Sequence, residues 1–501
     1  MFLYSKLKSL VLFGLYMGFS TTYHFYDFPD YPSDTATGTL SSSSPTQFLS
    51  LLDNSNPKKT KMIIDRIASE WTGGYEIMVL ETAYYSKSLD NSQKLINLLE
   101  EKTQQEYGSD FEQWFQWIWN RDAQYTPEYH SFKAALHKRI DPRFENYFLG
   151  RAQQSTIRLD EVRWGGVLQD GIPPLRNPKM IAASEAKYLR DSATVFGIAV
   201  NGDVRAYPKQ VLAWHELFTD EIGGIQLAGV YCTLCGTVIL YKTEDQGIHH
   251  QLGTSGFLYR SNKLMYDKAT QSLWSTLEGK PVIGPLVGKG ITLEYLSVVT
   301  TTWGEWKKRH PNTQVLSLDT GFRRDYREGV AYQDYFATDK LMFSVPELDN
   351  RLKNKDEILA IRSPEVPEQN LAISSTFLQG HPIYQDKLGN LPFTVFTDTS
   401  GAHRVFKTGG LHFNHYDGKS TAIDNTGVSW TIKENAMVSK QRRLDRLESH
   451  NAFWFGYQAA FPNVKLIQYI YSISGNPECA THAMPDLQSQ LRPLPLPLLH
   501  R

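Results

Sequence analysis

Cys232 and Cys235 are two of only three cysteines in 501 residues, and they stand three positions apart within Ile225-Gln-Leu-Ala-Gly-Val-Tyr-Cys-Thr-Leu-Cys-Gly-Thr-Val-Ile-Leu-Tyr241. Two thiols at that spacing can close a disulfide and exchange two electrons, or supply half the donors of a metal site. Groups able to move a proton precede them at His215 and Glu216, with Asp220 close behind. Arg205 and Arg260 are candidates to favour a thiolate.

Three chemistries follow from these residues. In the first, Cys232 attacks a disulfide, a peroxide or another electrophile and Cys235 resolves the mixed species, with His215 or Glu216 moving protons. In the second, Cys232, Cys235 and His215 bind a metal and leave one position open, which suits copper or a catalytic zinc better than a closed structural zinc site. In the third, the pair is a structural disulfide in a binding or scaffold module.

The elements that must position the thiols are strands. β-Branched and aromatic residues flank Cys232-Thr-Leu-Cys235-Gly236 on both sides, so the pattern predicts strand, tight turn, strand, with the cysteines at a solvent-open hairpin tip. No helical pattern follows Cys235, so no helix dipole is available to acidify a thiol. Further upstream, Val195 to Val200 reads as a strand closed by an Asn201-Gly202 hairpin turn, after a short helix-like piece at Ser184 to Leu189.

Between about Thr46 and Gly150 the apolar period is helical: Phe48, Leu51 and Leu52; Ile63, Ile64 and Ile67; Leu95, Leu98 and Leu99; Trp114, Trp117 and Ile118; Phe132, Leu136 and Ile140. Gly73-Gly74, Gly108 and Pro127 separate the segments. This reads as an all-α, helical-repeat-like module whose stripes are core and whose surface is free to bind a protein partner. Residues 151–189, with Trp164-Gly-Gly166 and Asp170-Gly-Ile-Pro-Pro174, form a Gly/Pro-rich connector that either lines a site or merely links domains.

Comparing the chain with itself reveals a repeat. His215, Asp220 and Gly223 recur at the offsets of His381, Asp386 and Gly389. Trp303-Gly-Glu-Trp306 through Pro311-Asn312 matches Trp454-Phe-Gly-Tyr457 through Pro462-Asn463. Trp274 has a counterpart in Trp430, and Asp267 sits upstream much as Asp417 does. The expected organisation is therefore a helical module at 46–150, a connector, a first β-rich repeat at 190–316, an inter-repeat segment at 317–354, a second β-rich repeat at 355–468, and an extended, mobile tail at 469–501. The fold class is multidomain, with an all-α module and a mainly β (α+β) body of two repeats. Where the first repeat has its thiols, the second has about Asp398-Thr-Ser-Gly401.

Lys+Arg 52 against Asp+Glu 53 leaves no basic surplus for nucleic acid, so the expected partner is a small-molecule substrate or a redox protein. Lys6 and Lys8 before the apolar run Leu10 to Phe19 read as a signal peptide or N-terminal anchor at 1–22, with a Pro/Ser-rich linker at 23–45. Export to a periplasmic or extracellular, oxidising space is the expectation.

Several runs together carry a family resemblance: Val200-Asn-Gly-Asp-Val-Arg-Ala-Tyr-Pro208, Trp214-His-Glu216, Tyr231-Cys-Thr-Leu-Cys235, Gly253-Thr-Ser-Gly-Phe-Leu-Tyr-Arg-Ser-Asn262, Met265-Tyr-Asp267, Ser272-Leu-Trp274 and Arg324-Asp-Tyr326. From about Asp160 to Ile467 the chain resembles the bacterial family called domain of unknown function 3179. That family includes selenoproteins, in which selenocysteine replaces a motif cysteine, and the resemblance thereby implies a redox role for the pair. It also draws in Asn262, Asp267 and Trp274 as supporting residues, the last two as elements of the fold first.

Overall fold

The computed structural model describes residues 45–151, 153–471 and 477–482. The expected signal segment, all but the end of the expected linker, and residues 483–501 of the tail lie outside the described residues.

Helices Pro45–Ser50, Pro57–Ser69, Tyr75–Tyr85, Leu89–Thr103, Phe111–Trp119 and Tyr129–Lys138 form the N-terminal part, with the predicted stripes turned inward and Gly74 and Gly108 between helices. The helix Tyr75–Tyr85 carries no apolar stripe because nearly all of it is buried, from Tyr75 to Ala83. Its Glu81 forms a buried ion pair with Lys133, 2.6 Å apart. The helices do not stand apart from the body. Their core is continuous with Phe257, Leu264, Tyr266 and Ile283 of the sheet that holds strands Leu252–Tyr259, Asn262–Asp267 and Lys280–Ile283, so one face of the module is taken up within the chain itself.

The rest is mostly β. Two sheets share one plan. In the first, Val299–Thr302, Thr194–Val200, Asp203–Pro208 and Gln314–Leu316 lie side by side, joined antiparallel, antiparallel, then parallel. In the second, Ser449–Phe453, Glu357–Arg362, Asn370–Ser374 and Lys465–Tyr471 take the same order and the same directions. The helices Trp303–Arg309 and Trp454–Ala460 occupy matching places ahead of the last strand of each. Asn201 and Gly202 both take positive φ, as the predicted hairpin turn requires.

Within the Gly/Pro-rich residues 151–189, Val162–Trp164, Leu175–Arg176 and Met180–Ala182 each add an edge strand to a different five-stranded sheet. Three expectations are corrected. Ser184 to Leu189 is a run of turns, not a helix. The chain past 468 is not simply an extended tail, since Pro477–His482, which contains Cys479, pairs antiparallel with Lys465–Tyr471. The residue closing the strand before Trp430 is Asp424, which accepts from the Trp430 indole at 2.9 Å, so it and not Asp417 stands in the place of Asp267.

The two β halves share a core. Leu217, Val230, Ile239, Met265 and Trp274 from the first pack with Ile358, Ala360, Ala452, Trp454 and Tyr457 from the second. Among the described residues no helix is long and apolar enough to cross a membrane.

Candidate functional site

Strand Ile225–Cys232 runs antiparallel to Thr237–Lys242, with Cys232 opposite Thr237, so the cysteines do occupy a hairpin tip. They form a disulfide, Cα to Cα 5.4 Å. The tip is not open to solvent: Cys232 is 3% exposed and Cys235 0%. The reason is what packs on it. Phe453 donates its backbone N–H to the Cys235 carbonyl at 2.7 Å, and its ring lies where a side chain on Gly236 would sit, 2.8 Å from the missing Cβ. Gly236 has φ +59°, so both backbone and packing demand glycine after the second cysteine. Gly456 brings the following helix within 2.9 Å, Cβ position to Cβ, of Cys235. The second β half therefore walls in the disulfide of the first.

A third wall comes from 317–354, which sequence reading treats as mere inter-repeat chain. Tyr335 donates its hydroxyl to the Leu234 carbonyl at 2.7 Å, inside the Cys-x-x-Cys turn. Ser261, whose own carbonyl oxygen lies 3.6 Å from the Cys235 sulfur, donates to the Phe343 carbonyl at 2.7 Å. The helical module holds this cover from outside, through Gln116 to the Val345 carbonyl at 3.0 Å and Asn120 to the Pro346 carbonyl at 3.1 Å.

Beside Cys232 a pocket remains, with a cavity volume of about 40 Å³, and Cys232, Glu216, Lys263 and Tyr332 contribute to its lining. The strand Leu252–Tyr259 carries a register shift between Thr254 and Leu258, and this bulge lays Thr254, Gly256 and Phe257 along the pocket wall. The Gly253-Thr-Ser-Gly256 run is thus part of a bulged strand. Gly165, Val167 and Ile172 reach the same pocket, so the Gly/Pro-rich stretch does line a site.

Glu216 takes φ +56°, a left-handed backbone uncommon for a residue with a side chain. Its carboxylate accepts from Lys263 Nζ at 3.1 Å and from the Tyr332 hydroxyl at 2.8 Å, all three groups buried. Burial pushes the Lys263 amine below its ordinary pKa, with the Glu216 carboxylate opposing that fall. Tyr332 is pushed well above the ordinary phenol, by burial first and then by Glu216. A charged pair held in so dry a place is costly to leave without a partner, and it lines the same pocket as Cys232.

His215 is the main departure. It is fully buried, its Nδ1–H donates to the Pro173 carbonyl at 2.8 Å, and Nε2 accepts from the Tyr326 hydroxyl at 2.6 Å. Burial lowers its pKa to about 4, so it stands as a neutral, fully bonded core histidine. It lies outside the pocket lining that holds Cys232. Among the described residues no group of three or more His, Cys, Asp or Glu is placed to hold a metal ion, so Cys232, Cys235 and His215 do not form the ligand set considered above. The residues present do not fit copper or zinc there.

The supporting residues divide. Asn262 belongs to the site, its amide donating to the Gly456 carbonyl at 2.8 Å beside Cys235. Arg205 is committed to Asp203 and Asp220, each at 2.7 Å, and Tyr207 also donates to Asp220. Asp220 pairs with Leu227, five residues from Cys232, which is about 17 Å along the strand. Arg260 is spent on Glu161 and the Ala459 carbonyl. Asp267 closes a turn by accepting from Thr270, and His250 packs on Trp274 at 5.0 Å while bonding Asp267 at 3.2 Å. His250 is thus core, while its neighbour His249 is exposed.

Lys263 and Tyr332 line the candidate site and are missed by sequence reasoning. A lysine directly before the apolar run Leu264-Met-Tyr266, in a strand that is buried throughout, is the one signal that points to the first. In the second β half the hairpin tip between Leu391–Thr397 and His403–Lys407 holds Asp398, which accepts from Ser400 and the Ala402 backbone and pairs with Arg404 at 2.8 Å.

A family model described as "Protein of unknown function (DUF3179)" matches residues 169–464. No curated protein and no solved structure matches the chain.

Proposed function

We propose that this chain, which belongs to the DUF3179 family, is an exported thiol redox protein that acts as an oxidoreductase through Cys232 and Cys235. The observation that carries the reading is the company of the disulfide: Cys232 faces a pocket shared with a buried lysine, glutamate and tyrosine that bond one another. A purely structural disulfide has no use for such a cluster. In the reduced state Cys232 is the attacking sulfur, because it alone of the two lines the pocket, and the Lys263 ammonium favours its thiolate. Cys235, held behind it, resolves the intermediate and closes the disulfide. The body is read as two copies of one unit, supported by the common order and direction of the two sheets, with only the first copy keeping thiols.

A second reading draws on the complete burial of Cys235, which also suits an inert disulfide in a non-catalytic binding or scaffold module. Mass-resolved alkylation separates the two. The redox reading expects no label at Cys232 and Cys235 as purified, and label on both when protein incubated with dithiothreitol in native buffer is acid-quenched and then alkylated in denaturant. A pair that takes label only when the dithiothreitol itself is added in denaturant would leave the scaffold reading standing.

A further inference from the structure

The same site also limits what can reach the sulfur. The cavity of about 40 Å³ beside Cys232 has room for about three waters, at roughly 10–15 Å³ each. Its walls are mainly apolar, from Val167, Ile172, Leu258 and Met342, with Lys263 and Tyr332 among its few polar groups. The cover cannot swing aside cheaply. It is tied to the thiol hairpin by Tyr335, to the neighbouring turn through Ser261, and to the helical module by Gln116 and Asn120. Attack on a disulfide needs three sulfurs nearly in line, with the substrate's bulk continuing outward from both of its own. A large disulfide, bulky beyond both of its sulfurs, finds no such path to a buried Cys232 through a pocket of this size, whereas a peroxide presents only two oxygens to the sulfur and dithiothreitol, to reduce the pair, brings in a single terminal sulfur.

We propose that the oxidant of the Cys232–Cys235 dithiol is a small hydroperoxide, with hydrogen peroxide the best fit; this rests on the thiol redox reading above. The Cys232 thiolate attacks the distal peroxide oxygen, forming S–O as O–O breaks. The departing hydroxide or alkoxide takes its proton from the Lys263–Glu216–Tyr332 cluster and leaves as water or alcohol. Cys235 then attacks the sulfenic sulfur of Cys232, S–S forms, S–O breaks, and the hydroxyl leaves as water with the Cys235 proton. The dithiol loses two electrons and the peroxide gains them, and the product is the disulfide in the structure.

The test uses full-length protein reduced with dithiothreitol, freed of it, and mixed in separate arms with hydrogen peroxide, tert-butyl hydroperoxide, cumene hydroperoxide and oxidised glutathione, with disulfide formation followed by quenched alkylation. The expected result is one hydrogen peroxide consumed per disulfide formed, rates falling along the hydroperoxide series, and oxidised glutathione slower than hydrogen peroxide by about a hundredfold or more. Oxidised glutathione matching hydrogen peroxide, or rates indifferent to hydroperoxide size, would overturn the inference while leaving the redox reading in place. Rates in every arm no higher than for the urea-unfolded chain would overturn both.

Discussion

Replacing Lys263 by Met removes the ammonium that faces Glu216. At 3.1 Å and an effective dielectric constant of about 20, the attraction between the two charges is about 5 kcal/mol. Both are buried, so solvent cannot take over the role of the lost partner, and breaking one side of such a pair costs about 3–5 kcal/mol. Lys263→Met is therefore expected to destabilise by that amount at pH 7. Glu216→Gln should cost less, since burial already lowers the pKa of Lys263 and an amine without its carboxylate can shed its proton. The double variant should recover much of the loss, giving a coupling energy of about 2–3 kcal/mol. Urea unfolding of the four proteins, followed by tryptophan fluorescence, measures the cycle. Additivity within about 0.5 kcal/mol would refute the idea that these groups act as one buried unit.

Other consequences follow from single positions. Gly236→Ala should destabilise by about 2–3 kcal/mol, because its Cβ meets the Phe453 ring in a left-handed backbone, while Gly202→Ala, equally left-handed but open to space, should cost about 1 kcal/mol; equal urea midpoints for the two would contradict this. His215 and His403 are held at about 4 and His450 at about 3 by burial. The fold thus disfavours their protons, so the stability they contribute is full above pH 6.5 and falls as pH drops toward 4, by up to about 1.4 kcal/mol per pH unit for each. A urea midpoint unchanged between pH 7 and 5 would count against these assignments. Asp398→Asn weakens the tip of the second hairpin and its Arg404 pair, and should lower stability by about 1–3 kcal/mol without altering thiol oxidation by peroxide; a changed oxidation rate would mean the two copies are coupled.

The thiol hairpin was legible because its strands announce themselves in β-branched and aromatic residues and the turn carries a glycine that nothing else could replace. The striped helices were legible for the same kind of reason, a period of 3.6 cut by glycines. The helix Tyr75–Tyr85 hides from that test, since burial on every side erases the period. The edge strands of 162–182, two or three residues long, are too short to show one. The site itself is a matter of long-range pairing: Lys263 lies 47 residues from Glu216, and Tyr332 lies 116. His215 and Glu216 look alike as proton carriers in the sequence. The left-handed turn at Glu216 parts them, sending one carboxylate to the pocket while the imidazole is bonded to Pro173 and Tyr326.

The most direct measurement is a redox titration of the folded full-length protein against dithiothreitol in varying oxidation states, with the state of Cys232 and Cys235 read by acid quench and mass-resolved alkylation in denaturant. The expected result is a single reversible two-electron transition confined to these two residues, with the same midpoint in the presence of a chelator. A pair that stays oxidised at every ratio until the chain unfolds would contradict it.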